Sequence, residues 1–428
     1  MIDPKLIEAK PEYVKEALAK KLWDFDPEPL LALFQKRREL TKTVEENKAQ
    51  QNRLSKSVPQ VKKEGGDVQA IFAEVKELAA RNKDAEEELK NVENEIKSQI
   101  EVLPNLPDDD LVAGGKENNT PIYSYGKKPT FDGFTPKDHV ELAESLGLID
   151  YKRAAKISGT GTWCYTGLGA QLEWALLNYF ITTHIADGYT MILPPHLLNE
   201  QSGYTAGQFP KFKNEVFWLD GAEPAKFILP TAETALVNLH RDEVLSEEDL
   251  PKKYFAYTPC YRREAGSYRT EERGMIRGYQ FDKVEMVQYT TDDGSDAAFD
   301  ELVKKAQHLL EGLGLCYQLD KLAAGDCSHS MARTYDIEVW IPSMGIFKEV
   351  SSVSNARDYQ ARRGMIRYKD KDGKMHFCHT LNGSGLATSR VFPALLEQNQ
   401  QADGSVVIPE VLRPFMGGIS VLKPVNKK

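Results

Sequence analysis

Cysteine is scarce in this chain of 428 residues: the five thiols, Cys164, Cys260, Cys316, Cys327 and Cys378, are odd in number and never spaced CxxC. That pattern favours reduced thiols over a disulfide framework or a zinc finger. No apolar run approaches the ~20 residues that a bilayer-spanning helix needs. The first residues, MIDPKLIEAKPEYVKEAL, also lack the basic-then-apolar layout of a secretory leader. A soluble, cytoplasmic protein with no membrane partner is therefore expected. Beyond about residue 130 no Walker-type glycine loop and no internal repeat occur, which argues against a P-loop or Rossmann nucleotide site. Strong basicity is missing too: a net charge of -9 speaks against a whole-surface grip on nucleic acid, though not against a local basic face. What the chain does have is 41% hydrophobic and 28% charged residues, enough to build one large core and usually two domains.

A seven-residue repeat starts at Leu30. Its seam runs through Leu30, Arg37, Val44, Gln51 and Val58 and through Leu33, Leu40, Asn47, Leu54 and Val61. After the breaker Gly65-Gly66-Asp67 the period resumes at Val68, Val75, Asn82, Leu89 and Ile96 and at Ile71, Leu78, Ala85, Val92 and Gln99. This predicts an antiparallel coiled-coil arm over about residues 30–102, with Asn47 and Asn82 pinning the register. Residues 30–63 hold nine bases against three acids, whereas residues 68–102 hold five against nine. The basic helix could track a phosphate backbone through Arg37, Arg38, Lys48, Arg53 and Lys56. Salt bridging between the two helices competes with that reading and, on charge alone, stands slightly ahead. Pro104, Pro107, Asp108 to Asp110 and Gly114-Gly115 then read as a linker. The expected domains are 1–110, containing the arm, and 111–428.

Beyond residue 130 short alternating strands separated by amphipathic helices indicate an α+β body. A helical pattern through Gln171 to Phe180 leads into Gly188, a strand Tyr189 to Leu193 and the stop Pro194-Pro195. Tyr254 to Glu264 and Tyr279 to Tyr289 read as two strands joined by a long loop, Ala265 to Arg277. With a period of two, Arg262 and Glu264 share a face of the first strand, and Phe281, Lys283 and Glu285 share a face of the second. A solvated face with cross-strand ion pairs would explain a generic hairpin of this kind. The mixture of aromatic, cationic and acidic groups suits a nucleotide together with an amino acid better than it suits water.

Tyr261-Arg262-Arg263-Glu264 resembles motif 2 of class II aminoacyl-tRNA synthetases, Gly188 to Pro195 their motif 1, and Gly383 to Arg390 their motif 3. Thr231-Ala-Glu233, Phe281 to Met286, Glu349 to Ser352 and His379 to Gly385, together with the arm, resemble the bacterial-type seryl-tRNA synthetase family over essentially the whole chain. The resemblance implies an antiparallel sheet flanked by helices and a homodimer formed partly through the segment ending at Pro195. It also implies a serine-tRNA ligase that uses ATP with Mg2+ and charges tRNA(Ser), with tRNA(Sec) as a second possible substrate.

The same resemblance assigns residue roles. Arg262 should bridge the ATP α-phosphate and the serine carboxylate; Glu264, Phe281 and Arg390 should hold ATP, with Phe281 and Arg390 sandwiching the adenine. Glu349 and Ser352 should hold Mg2+. In a regular strand those two point to opposite faces, so the pairing needs a bend or a bulge between them. Thr231 and Glu233 should take the serine ammonium, and Glu285, Ser384 and Asn382 should read its hydroxyl. Thr231 also suits a helix N-cap with Glu233 in the first turn. Zinc is not expected: His376-Phe-Cys378-His379 has no second ligand pair. Arg357, Arg362, Arg363 and Arg367 read as an exposed basic loop, and Lys423, Lys427 and Lys428 as a frayed tail. One rival is a paralogue loading a small amino acid onto a carrier protein, which would not need the arm. A catalytically silent relative is a second, and Arg262, Glu264, Glu285, Glu349 and Arg390 weigh against it; a coiled-coil scaffold, the third, explains the arm but leaves the motifs as coincidence.

Overall fold

The computed structural model describes residues 1–264 and 274–425. The expected loop 265–277 lies mostly outside the described residues, as do Lys427 and Lys428. The chain forms two compact units, one of Ile2–Ala19 with Trp23–Leu103, the other of Pro104–Lys428 with Met1 and Lys20–Leu22.

In the first unit, helices α1 (Glu28–Lys63) and α2 (Val68–Glu101) pack as an antiparallel hairpin. Every predicted seam position is buried or half-buried, as a heptad repeat requires. Gly65 makes the turn at φ +75°, and Asp67 then caps α2 by accepting from the amides of Gln69 and Ala70. Helix α1 continues through Pro59, although proline removes a backbone donor, because Val58 and Val61 on either side stay in the seam. Lys36 pairs with Glu88 and Lys48 with Glu86 across the hairpin, each at 2.7 Å. Both pairs are about half exposed to water, which screens them, so they add little to the packing of the seam. One expectation needs correction: Asn82 donates to Glu86 of its own helix at 3.0 Å, so the apolar seam and not a cross-helix amide sets the register.

The second unit is built on eight strands: β1 Thr120–Tyr125, β2 Thr190–Met191, β3 Lys252–Tyr261, β4 Gln280–Thr290, β5 Tyr317–Lys321, β6 Arg333–Ile341, β7 Ile346–Asn355 and β8 His379–Ala387. Their order in the sheet is β1-β5-β6-β7-β8-β4-β3-β2, antiparallel throughout except for β2 beside β3. Helices α3 (Leu168–Ala186), α4 (Ala232–Leu236), α5 (Ser295–Gly312), α6 (Tyr359–Gly364) and α7 (Thr388–Gln398) flank it. Alternation along β4 decides what each face does. Val284 and Met286 enter the main core with Leu176 of α3, Leu302 of α5 and Phe392 of α7. On the other face Val287 and Tyr289 are covered by Ala232 and Leu236 of α4 and Ala361 of α6. The stretch of that second face nearer the start of β4 carries Phe281, Lys283 and Glu285 and forms the floor of a cleft.

Three local readings differ from expectation. The strand after Gly188 shrinks to Thr190–Met191, because Pro194-Pro195 cannot donate to a ladder. Strand β3 ends at Tyr261, and Glu264 turns away at φ +47°. The basic stretch is not an exposed loop: Arg363 is buried and donates to the carbonyl of Phe209, while Arg357 binds Asp108.

Asp108 fastens the linker to the sheet, accepting from Arg333 Nε and Arg357 Nη2 at 2.7 Å each. Burial raises its carboxyl, but the hydrogen bonds and charges of Arg357 and Arg333 prevail and hold it below the usual 3.8. Asp108→Asn is expected to cost about 2 kcal/mol in denaturant unfolding at neutral pH. A depressed folded-state value gives stability that is present above 3.8 and fades as pH falls through the native value, so the two proteins should converge in acid.

Candidate active site

The cleft, about 550 Å³, is lined by Thr231, Glu233, Arg262, Glu264, Phe281, Glu285, Glu349, Ser352, Asn382, Ser384 and Arg390, which are all the residues assigned above to ATP, serine or metal. Neighbouring strands β4, β8 and β7, the segment just after β3 and the starts of α4 and α7 supply them. Pro195 lies elsewhere, exposed on the segment after β2.

At one end Thr231 caps α4, its hydroxyl accepting from the Glu233 amide at 3.2 Å, so Glu233 projects from the first turn. Glu233 Oε1 accepts from the Gln360 amide at 2.9 Å. Burial, with Glu285 nearby, pushes its carboxyl up to about 7. Glu285 is fully buried; Asn382 donates to its Oε1 at 2.9 Å and Ser384 to its Oε2 at 3.2 Å, while Lys283 forms an ion pair with it. The result is a polar recess with two carboxylates and two short side chains that offer hydrogen bonds, a match for a small molecule bearing an ammonium and a hydroxyl.

In the middle Arg262 lies just beyond β3, its backbone amide bonded to Tyr279 O at 3.0 Å. Its guanidinium carbon sits 5.1 Å from the Phe281 ring centroid, and Nε makes only a long 3.4 Å contact to Pro230 O. Among the described residues most of its donors therefore remain available to an anionic ligand. Arg277 engages Glu264 at 2.6 Å. The glycine stretch around residue 160 packs here: a side chain at Gly278 would strike Trp163 at 2.3 Å and Gly161 O at 2.8 Å, so glycine at 278 permits this close approach.

At the far end Arg390 donates to Glu349 O at 2.7 Å and faces its carboxylate at 3.5 Å. The β6–β7 register slips between Ile337 and Glu338: Ile337 faces Ser351 and Glu338 faces Glu349, leaving Val350 as the extra residue. This bulge turns Glu349 to the same side as Ser352, whose hydroxyl reaches Glu349 Oε1 at 3.3 Å and also bonds Asp336. Burial opposes ionisation of Glu349, but Arg390 and Arg262 hold its carboxyl below the usual range. Asp336 is raised well above the usual range by burial and by Glu349. Two carboxyls around one hydroxyl form a set of hard oxygen donors that fits a divalent cation held partly by phosphate.

Sequence reasoning passed over three of these groups. Alternation places Lys283 on the face that forms the cleft, and that placement is the one local signal for it. Asp336 and Gln360 carry no local mark; only strand pairing and helix packing bring them to the site.

Residues 1–107 match the family model described as the seryl-tRNA synthetase N-terminal domain, and residues 217–399 match the class II tRNA synthetase core domain of the G, H, P, S and T enzymes. Serine-tRNA ligase 2 of Clostridium acetobutylicum is 58% identical over 97% of this chain and 99% of its own length. The serine-tRNA ligase of Clostridium tetani is 43% identical over 99% of this chain and 100% of its own. Among solved structures, the seryl-tRNA synthetase of Pyrococcus horikoshii complexed with ATP aligns with a TM-score of 0.94 at 31% identity, covering 100% of both chains.

Proposed function

The chain belongs to the seryl-tRNA synthetase family, and from that premise we propose that it is a serine-tRNA ligase in which the cleft activates L-serine with ATP and then esterifies tRNA(Ser). The observation that carries the reading is the gathering of eleven assigned side chains around one cleft, with a carboxylate-rich recess at one end and arginines along the rest.

In the activation step the serine carboxylate attacks the α-phosphorus of ATP, forming a mixed anhydride and releasing pyrophosphate. Two anions must approach, and Arg262, always charged and forked, can bridge both. Phe281 offers a face for the adenine and Arg390 a cation for its ring and the triphosphate. Thr231 and Glu233 hold the ammonium, and Glu285, Ser384 and Asn382 read the hydroxyl. Glu264 and Arg277 brace one another beside the nucleotide. In transfer, a hydroxyl of the terminal adenosine attacks the anhydride carbonyl, the ester forms as the bond from that carbonyl to the phosphate oxygen breaks, AMP leaves, and the hydroxyl proton passes to the departing phosphate or to solvent. Orientation and fixed charge supply the acceleration, and no general base is assigned. Glu349 and Ser352, with Asp336 behind them, would hold Mg2+, which when bound would neutralise phosphate charge.

The hairpin serves tRNA binding through the basic face of α1. Arg38 and Lys48 already pair with Glu8 and Glu86, so exposed Arg53 and Lys56 should contribute more of the salt-sensitive attraction than those two, with Arg37 beside Phe34 as a further contact. We assign residues 1–110 to tRNA binding and 111–428 to catalysis, and place the protein in the cytoplasm. Exposed Leu193 and Leu197, two residues to either side of Pro195, support a homodimer through this segment. Sedimentation showing a monomer at micromolar concentration would contradict that assembly. Among the described residues no helix is long and apolar enough to cross a membrane.

The deciding experiment is ATP–pyrophosphate exchange with serine, threonine, alanine and glycine, followed by charging of tRNA(Ser) and tRNA(Sec). Exchange with serine plus charging establishes the reading; exchange without charging points to a carrier-loading enzyme. A pH profile supplies a second check. Because Glu233 titrates at about 7 and must be ionised to hold an ammonium, kcat/KM for serine should drop about tenfold per pH unit below that value.

A further inference from the structure

Lys283 occupies a place that the proposed function gives to the substrate. Its side chain is 8% exposed and rises from β4 into the recess between Phe281 and Glu285. The ammonium donates to Thr231 Oγ1 at 2.9 Å and pairs with Glu285 Oε2. Thr231 is one of the two groups assigned to the serine ammonium, with Glu233 beside it, and Glu285 Oε2 is the oxygen that Ser384 also contacts in reading the hydroxyl. Glu285 Oε1 is meanwhile taken by Asn382. An incoming serine therefore meets a recess in which two of the acceptors, Thr231 and Glu285, already serve a primary ammonium of the same charge and hydrogen-bonding capacity as its own, while Glu233 does not.

Resting on the serine reading, we propose that Lys283 is a built-in stand-in for the substrate ammonium: it neutralises the recess before binding and must yield Thr231 and Glu285 when serine enters. Four methylenes let its head swing along the cleft without moving β4, towards the Arg262 end where the substrate carboxylate and α-phosphate bring negative charge. Lys283 is thus a positioning residue, and its retreat couples filling of the amino-acid recess to added positive charge where the anions meet. The stand-in also taxes binding. If it occupies the recess about nine-tenths of the time, apparent serine affinity is about tenfold weaker than that of the open recess.

The test is calorimetric titration of wild type and Lys283→Met with serine and, separately, with ethanolamine, which keeps the ammonium and hydroxyl but lacks the carboxylate. Titrations run without ATP at about pH 8.5, above the range in which Glu233 titrates. The expected result is about tenfold tighter serine binding by Lys283→Met, a new affinity for ethanolamine, and slower pyrophosphate exchange. Equal or weaker serine binding by a folded variant, with no ethanolamine binding, would overturn the proposal and leave Lys283 as a structural ion pair. Should the variant not fold, a structure of the wild-type protein with a non-hydrolysable seryl-adenylate analogue decides: Lys283 Nζ displaced from Thr231 supports the stand-in, and both ammonium groups on Thr231 and Glu285 together refute it. Failure of wild type to bind serine at all strikes the proposed function instead, so the two failures are distinguishable.

Discussion

Arg262→Ala is expected to slow serine-dependent pyrophosphate exchange by about 10²–10³-fold, the loss typical of removing a preorganised donor aimed at developing charge. The reason lies in its position. Arg262 sits past the end of β3, touches Pro230 O only at 3.4 Å and rests over Phe281, so little of the fold depends on it. Unfolding should accordingly shift by less than about 1 kcal/mol, within the range of changes away from packed features. The deficit should fall on kcat as well as kcat/KM, because bridging two anions matters most when they are closest. Arg262→Lys should recover little, since a point charge cannot fork between carboxylate and phosphate. Exchange near the wild-type rate in Arg262→Ala would remove Arg262 from the chemistry.

Glu285→Ala should act on both stability and specificity. Glu285 is fully buried, and three groups, Lys283, Asn382 and Ser384, converge on it. Truncation strands the nearly buried Lys283 ammonium and two donors, and breaking such a buried pair costs about 3–5 kcal/mol. The measurable outcome is a lowered denaturant midpoint at unchanged slope. Specificity should change as well. A site built to bond a hydroxyl rejects analogues lacking it by about 10⁴–10⁵, because alanine or glycine leaves its polar groups unpaired. With Glu285 gone, the ratio of exchange rates for serine over alanine should collapse towards the contribution of the Ser384 hydroxyl. Glu285→Gln, which keeps the shape, separates the two effects: more of the stability should survive than of the serine rate. Retained discrimination in a folded Glu285→Ala protein would mean that the hydroxyl is read elsewhere.

Much of this molecule is legible locally. The coiled-coil seam could be read because a helix repeats its faces every few residues, and even Pro59 did not interrupt it. Strand β4 likewise announced that Phe281, Lys283 and Glu285 share a face. The grouping of Thr231, Glu233, Arg262, Glu349, Asn382, Ser384 and Arg390 was less accessible: periodicity placed each on an element, and only resemblance to a family placed them together. What local pattern misjudged was the basic stretch at 357–367, since its partners Asp108 and Phe209 lie more than a hundred residues away.

By itself, then, the sequence determined the hairpin arm, the α+β body and the face on which each strand residue stands, because backbone periodicity is a property of neighbours along the chain. Tertiary structure alone decided the rest. The bulge at Val350 that brings Glu349 beside Ser352, the support of Glu233 by Gln360 and the seating of Lys283 between Thr231 and Glu285 all arise from pairings across strands and helices. Such pairings depend on register and burial, which no stretch of neighbouring residues encodes.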